Sequence, residues 1–277
     1  VIVLLLIGIF PLLYTINLSF RSFSFILPGR DGQWVGLDNY ATLIHDPGFK
    51  SALLRTAVFT GSAVILELSV GFVLASWLNA VQGMRRLLLS LLIIPMILTP
   101  VIIGLMFNFA LNPQFGSITH LLGSVGIPGT GDILGGPVSA MIALILVDVW
   151  QWSPFMAIML WAGMQALPSE PLEAAAMDGA TALQRMRYVV VPMLRPVVVV
   201  AVIFRAAEAV REFDKVFVLT GGGPGSATEV LDLFTYRTSF VTWDMSLGAA
   251  MGVVVFIAAL ASAVIFFRIV ARGGRVT

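Results

Sequence analysis

The residues able to do chemistry are few, and most of them stand in apolar surroundings. Arg205, Glu208, Arg211, Glu212, Asp214 and Lys215 crowd into one largely apolar stretch. At about 100° per residue of helix, Arg205, Glu208, Glu212 and Lys215 are predicted to share one face. Arg205 with Glu208, and Glu208 with Glu212 or Arg211, are then within helical reach. Glu67 and Asp148 stand in two other apolar stretches, and Asp148 is followed by Trp150, Gln151 and Trp152. Ionisable groups in such segments are costly and face a bundle interior or a cavity. Asp148, Gln151, Trp152, Arg205, Glu208 and Glu212 could therefore line or gate a path. Tryptophan faces stack on sugar rings, and amides bond hydroxyls, which suits a carbohydrate. The same residues suit a neutralised ion-pair network bracing helices, with the tryptophans as an interfacial belt. Both readings stand at this point.

Other chemistries are excluded. There is no cysteine, hence no thiol nucleophile or thiolate metal site. The two histidines, His45 and His120, form no H-E-x-x-H pair, and no Ser-His or His-Glu constellation suggests a hydrolase. Lys50 and Lys215 are the only lysines, and neither follows the glycine spacing of a phosphate-binding loop. Gly221-Gly222-Gly223 before Pro224 reads as a tight turn. A net charge of +1 gives no basic patch for nucleic acid.

The elements that must position these residues are membrane spans. Of the 277 residues, 58% are hydrophobic and 11% charged, against about 25% charged in soluble domains. About 20 apolar residues cross the hydrocarbon core, and six stretches qualify: 1–20, 53–81, 87–111, 138–164, 197–219 and 245–270. Pro95, Pro100 and Pro154 are expected to kink their helices and free backbone groups. A short amphipathic helix is expected near residues 38–44. Val1 already lies in an apolar run, which suggests a short cytoplasmic tail ahead of it. One set of loops and ends holds Arg85, Arg86, Arg185, Arg187, Arg195, Arg268, Arg272 and Arg275. The other holds Arg21, Arg30, Lys50, Arg55 and Arg237. The first set marks the cytoplasmic side, with both termini and the loop 165–192 on it.

That loop is the most structured of the connections. Pro168 ends a span, Ser169 is placed to cap a helix, and Glu170 and Glu173 sit in its first turn, where the helix dipole favours acid. Residues 174–177 are helix formers. Gly179 can end the helix in a left-handed conformation, and Thr181 can cap a second short helix running through Tyr188. Pro192 is then expected to open the next span. Local physics alone would allow an ordinary connection between spans.

The string Glu173-Ala174-Ala175-Ala176-Met177-Asp178-Gly179-Ala180, followed by Pro192 and Pro196, resembles the signature loop of the membrane subunits of binding-protein-dependent ABC importers. That signature reads E-A-A-x-x-D-G-A, and the one departure is Met186, where an aromatic is common. Pro11-Leu-Leu-Tyr14, Leu18-Ser19-Phe20 and Gly36-Leu-Asp-Asn39-Tyr40 resemble the carbohydrate branch. Leu219-Thr-Gly-Gly-Gly-Pro224-Gly225 with Ala227-Thr228 resembles the maltose-transporter-like first permease, and the tail 268–277 lacks the ending of the second type.

The resemblance implies an all-α integral membrane protein, a single domain over 1–277. It would have six transmembrane helices of the type I ABC importer permease kind and a cytoplasmic helix-turn-helix coupling loop at 165–192. Glu173, Ala174, Ala175, Asp178 and Gly179 would couple to an ATPase. Glu173 would make polar contacts, the alanines would allow close approach, and Gly179 would supply the bend. Arg185 and Arg187 would pair with acidic ATPase residues or act only as positive-inside anchors. The chain itself would hold no cofactor and would not be an enzyme; ATP and Mg would sit on the partner. The implied partners are two ATPase subunits, a second permease subunit, an extracytoplasmic solute-binding protein, membrane lipid and a carbohydrate substrate (a sugar, oligosaccharide or polyol). The implied location is the bacterial cytoplasmic (inner) membrane, multi-pass. The competing reading is a stand-alone ion-coupled secondary transporter, with the charges at 205–215 as the ion site. Such a carrier would not need the loop, though inverted repeats would favour it.

Overall fold

A computed structural model describes residues 2–26, 29–81, 83–126 and 130–273, and of residues 2–6, 130, 262–263 and 265–273 the backbone alone. Arg275, counted above for orientation, lies outside them, as do the side chains of Arg268 and Arg272.

Helix α1 (Ile2–Ser19) leads into a small antiparallel hairpin, β1 (Arg21–Phe23) and β2 (Asp31–Trp34), in which Arg21 pairs with Trp34. The hairpin is the one addition to an otherwise helical fold among the described residues. The expected short helix follows as α2 (Asp38–His45). Next come α3 (Pro47–Ala80), α4 (Arg85–Ile97), α5 (Pro100–Ala110), α6 (Ser117–Ser124) and α7 (Pro137–Gln165). The loop helices are α8 (Glu170–Met177), α9 (Ala182–Arg185) and α10 (Val191–Met193), with a π-helical turn at Met186–Val190 between the last two. The chain ends with α11 (Arg195–Ala209), α12 (Asp214–Leu219), α13 (Leu231–Tyr236) and α14 (Met245–Gly273).

Among the described residues, α3 and α7 are long and apolar enough to cross a membrane unbroken. Two more crossings require a bent pair each: α4 with α5, and the segment Ala182–Met193 with α11. The apolar parts of α1 and α14 are shorter. All six predicted stretches are helical, but the third and fifth are not single rods. The third breaks at Leu98, whose backbone is extended. Pro100 excludes the helical conformation from the residue before it, which explains the break. The fifth ends at Ala209 and resumes at Asp214.

Contacts divide the chain into two units of interleaved segments. The first comprises Val1–Phe59, Gly104–Ile142 and Val210–Ala261. Its core gathers Leu43, Phe49, Leu231, Ala250 and Met251. Asn39 ties α2 to the end of α1 by donating to the carbonyls of Ser19 and Arg21 at 2.8 and 2.7 Å. Asn108 donates to the Leu219 carbonyl at 2.9 Å and so caps a helix end.

The second unit comprises Thr60–Ile103, Ala143–Ala209 and Ser262–Thr277. Its core gathers Ala75, Leu160, Met164, Val190 and Leu194, with Leu167, Leu172 and Met186 packed against it. Gly71 lets α3 pass close to α7, since a Cβ there would collide with Met156 and lie 3.0 Å from the Ala157 nitrogen. Small residues at such crossings are how membrane helices gain dispersion contacts without a hydrophobic drive.

Candidate functional site

The loop after α7 forms an elbow assembled from local bonds. Ser169 does not cap α8 as expected; its backbone is already helical and its side chain makes no cap bond. Glu170 and Glu173 still place negative charge in the first turn. At the other end, Gly179 has φ +77°. Its N–H donates to the Ala176 carbonyl at 3.1 Å, and the Ala180 N–H reaches the Ala175 carbonyl at 3.0 Å. This pair of bonds is the Schellman stop, which needs a left-handed residue at the position Gly179 occupies.

The chain then enters a capping box without an intervening residue. Gln184 N–H donates to Thr181 Oγ1 at 3.3 Å, and Thr181 N–H donates to Gln184 Oε1 at 2.7 Å. The second helical segment runs past Tyr188, through the π turn to Met193, so Pro192 belongs to the loop rather than opening the next span. The bend into α11 is 65° and falls at Leu194, which is fully buried beside Gly163. Pro196 carries no N–H to continue the ladder across this point.

One side of the elbow is anchored and the other is bare. Leu167, Leu172 and Met186 pack on the core of the second unit. Glu173, Ala174, Asp178 and Gly179 are exposed, and Ala175 is half-buried. Met177 is 89% exposed, and Leu183 and Tyr188 are exposed with it. A shallow hollow of about 370 Å³ is lined by Ala175, Asp178, Gly179, Arg185 and Tyr188, among others.

The second site in this unit is an ion cluster. Arg205 on α11 sits between Glu67 on α3 and Asp148 on α7, and all three side chains are at most 1% exposed. Its Nη2 bonds Asp148 Oδ2, while its Nε lies 2.9 Å from Glu67 Oε2 without the alignment of a hydrogen bond. The Trp152 ring covers the guanidinium, 4.9 Å from centroid to Cζ. That ring face is therefore occupied in this conformation. Gln151 is buried, and its amide lies 3.4 Å from the Leu98 carbonyl that the broken third stretch leaves open.

The expected shared face on one helix is not formed, because α11 ends at Ala209. Arg205 is buried, whereas Glu208, three residues on, is exposed and has no ion-pair partner among the described residues. Glu212 is buried and pairs with Lys215 at 2.9 Å in the first unit. The structure thus brings together Asp148, Trp152 and Arg205 and adds Glu67. The one signal in the sequence for Glu67 was its isolation: a lone carboxylate in a span needs a cation from another span.

Residues 57–276 match the family described as binding-protein-dependent transport system inner membrane component. A probable ABC transporter permease protein of Sinorhizobium fredii, y4oQ, is 35% identical over 96% of this chain and 85% of its own length. The trehalose/maltose transport system permease protein MalF of Thermococcus litoralis is 32% identical over 96% of this chain and 89% of its own. The crystal structure of a bacterial ABC transporter that imports the acidic polysaccharide alginate contains a chain with TM-score 0.79 and 22% identity, covering 100% of this chain and 93% of that one. The six helical stretches, the elbow and these matches lead to one assignment: the chain belongs to the binding-protein-dependent transport system inner membrane components, and it is a permease subunit of an ABC importer.

Proposed function

We propose that this permease forms half of the path by which an ATP-driven importer moves a carbohydrate across a bacterial cytoplasmic membrane. The observation that carries the reading is the exposed elbow, which presents Glu173, Ala174, Asp178 and Gly179 to a partner while its other side is anchored in the core. The carbohydrate class is supported by the relative named for trehalose and maltose and by the alginate importer. Family membership removes the ion-coupled carrier as a reading.

The elbow docks in a cleft of a separate ATPase on the cytoplasmic side, so both termini are cytoplasmic. Two ATPase subunits hold ATP and Mg; a second, different permease completes the path; an extracytoplasmic binding protein delivers the solute. Because the elbow is braced by its own backbone bonds, ATPase motion passes through the bend at Leu194 into α11 rather than dissipating in the loop. Arg205 rides on α11, so its pairing with Glu67 and Asp148 acts as a gate. Trp152 and Gln151 line that gate, while Glu208 extends its polar lining. ATP and loaded binding protein each favour one of two conformations and shift the population between them.

The test is to purify the chain with its co-expressed neighbours and measure uptake in proteoliposomes. A stoichiometric ATPase carrying a phosphate-binding loop, and uptake that stops when ATP is depleted, are the expected results. Uptake that continues without ATP while an ion gradient is kept would overturn the reading.

A further inference from the structure

A groove of about 470 Å³ lies in the second unit between α3, α4 and α7, apart from both sites described above. It runs from Val70 to Trp77 on α3, from Leu88 to Pro95 on α4 and from Leu146 to Pro154 on α7. Each stretch is about 10–12 Å long at 1.5 Å per residue. That is most of one leaflet, since the whole hydrocarbon core is about 30 Å thick. The lining is aliphatic and aromatic apart from Ser153, whose hydroxyl is spent on the Val149 carbonyl. No residue of α4 is buried, so the described residues leave this wall of the groove uncovered.

Only one end of the groove is charged. There Arg85 donates from Nε to the carbonyls of Leu78 and Val81 at 3.1 and 3.2 Å, and its guanidinium lies 5.6 Å from the centre of the Trp161 ring. Arg85 thus bonds the residue after Trp77 and precedes Leu88 by about one turn, which sets it at the mouth. Among the described residues its Nη groups make no hydrogen bond, and neither it nor the exposed Arg86 makes an ion pair. From 68 to 98 the chain holds these two arginines and no acidic residue. The far end, at Val70, Pro95 and Leu146, is apolar. A spanning helix of another subunit would need a seam through both leaflets. Where helices of this unit meet closely, a glycine stands at the contact, Gly71 against Met156 and Gly163 against Leu194. The groove walls hold no glycine.

We infer that this groove is a site for an anionic phospholipid, whose acyl chain lies between α4 and α7 and whose phosphate meets Arg85 and Arg86. A charged head at one end and an apolar channel one leaflet long are the two halves of such a molecule. Guanidinium groups bond phosphate in a planar fork, and Trp77 stands where tryptophan is favoured, at headgroup level. On the orientation proposed above, the mouth faces the cytoplasmic leaflet, whose anionic lipids draw basic pockets between helices. At about 100° per residue, the α7 residues that line the groove centre on the side opposite Asp148. The lipid therefore backs the helix whose other face carries a carboxylate of the ion cluster.

The experiment is photocrosslinking of the assembled complex in phosphatidylcholine vesicles. The vesicles carry a trace of phosphatidylglycerol or of phosphatidylcholine with a diazirine on its acyl chain, and labelled peptides are identified by mass spectrometry. Both leaflets hold the probe, so the result does not depend on orientation. The phosphatidylglycerol probe is expected to label α4 and residues 70–77 about tenfold more than the phosphatidylcholine probe, on the scale set by two basic side chains. Arg85→Gln with Arg86→Gln should abolish that preference, and Leu91→Trp, which fills the groove, should cut labelling by both probes. Arg86→Gln alone keeps the Arg85 bonds and should lower the preference about threefold, which decides the matter should the double variant fail to assemble. Equal labelling by the two probes in the wild type means annular lipid only and overturns the site. An unchanged preference in either arginine variant overturns it as well. Absence of labelling by both probes does the same, because a subunit then covers the groove. The importer reading stands or falls on uptake, whatever this labelling shows.

Discussion

The elbow at Gly179 and the ion cluster at Arg205 belong to the same unit and are stabilised in opposite ways. Every bond that shapes the elbow joins residues at most five apart, and α8 and α9 contain no buried residue. The cluster joins Glu67, Asp148 and Arg205, which are distant in sequence, and it is buried throughout. An element held by local bonds keeps its shape wherever it is carried, which is what a lever needs. An element held by charges on three helices reports how those helices stand, which is what a gate needs. A movement of α11 relative to both α3 and α7 would part Arg205 from at least one carboxylate.

Breaking the cluster should have the largest effect. Arg205→Met leaves two carboxylates buried without their cation, a loss of about 3–5 kcal/mol for a buried pair broken on one side. Thermal unfolding of the purified complex in detergent should show a folded fraction strongly reduced at the growth temperature. The triple variant Glu67→Leu, Asp148→Leu, Arg205→Met should recover most of that stability, since apolar replacement of a whole buried cluster is often neutral or better. If the triple variant also transports at the wild-type rate, the cluster is a brace and not a gate. The elbow should respond more mildly. No atom lies within 4 Å of a Cβ placed on Gly179, so Gly179→Ala costs only the torsional strain of φ +77°, about 1–2 kcal/mol. Hydrogen exchange should rise at residues 178–181 and nowhere in α11, while ATP-driven uptake is lost.

The same contrast decides what could be read from the sequence. The elbow was legible because capping and left-handed stops are written in adjacent residues: Gly179, Thr181 and Gln184 determine their own geometry. Two details were misplaced: Ser169 makes no cap because its backbone is already helical, and Pro192 is displaced by the π turn, whose extra residue per turn no local pattern announced. The cluster was half legible. That Glu67, Asp148 and Arg205 must be satisfied followed from their cost in an apolar segment, but their mutual pairing did not. Helical spacing predicts partners for Arg205 along its own helix, and that helix stops at Ala209, before Glu212 and Lys215.

Two smaller perturbations sharpen the comparison from the side of the elbow. Thr181→Ala removes one half of the capping box and should cost about 1 kcal/mol, read as earlier local opening of the second loop helix by hydrogen exchange. Glu173→Lys should be smaller still in stability, within about 0.5 kcal/mol, because the side chain is exposed. It reverses charge in the first turn of α8, so a slight loss from the helix dipole is expected. Its effect on function should nonetheless be among the largest, with binding of the ATPase weakened and ATP-driven uptake reduced at least about tenfold, the equivalent of about 1.4 kcal/mol at the contact. The sizes separate the two roles. A residue that supports the fold loses stability and activity together, as Arg205 should; a residue that only meets a partner loses activity alone. Full uptake in Glu173→Lys would mean that the exposed face of the elbow is not the surface the ATPase holds.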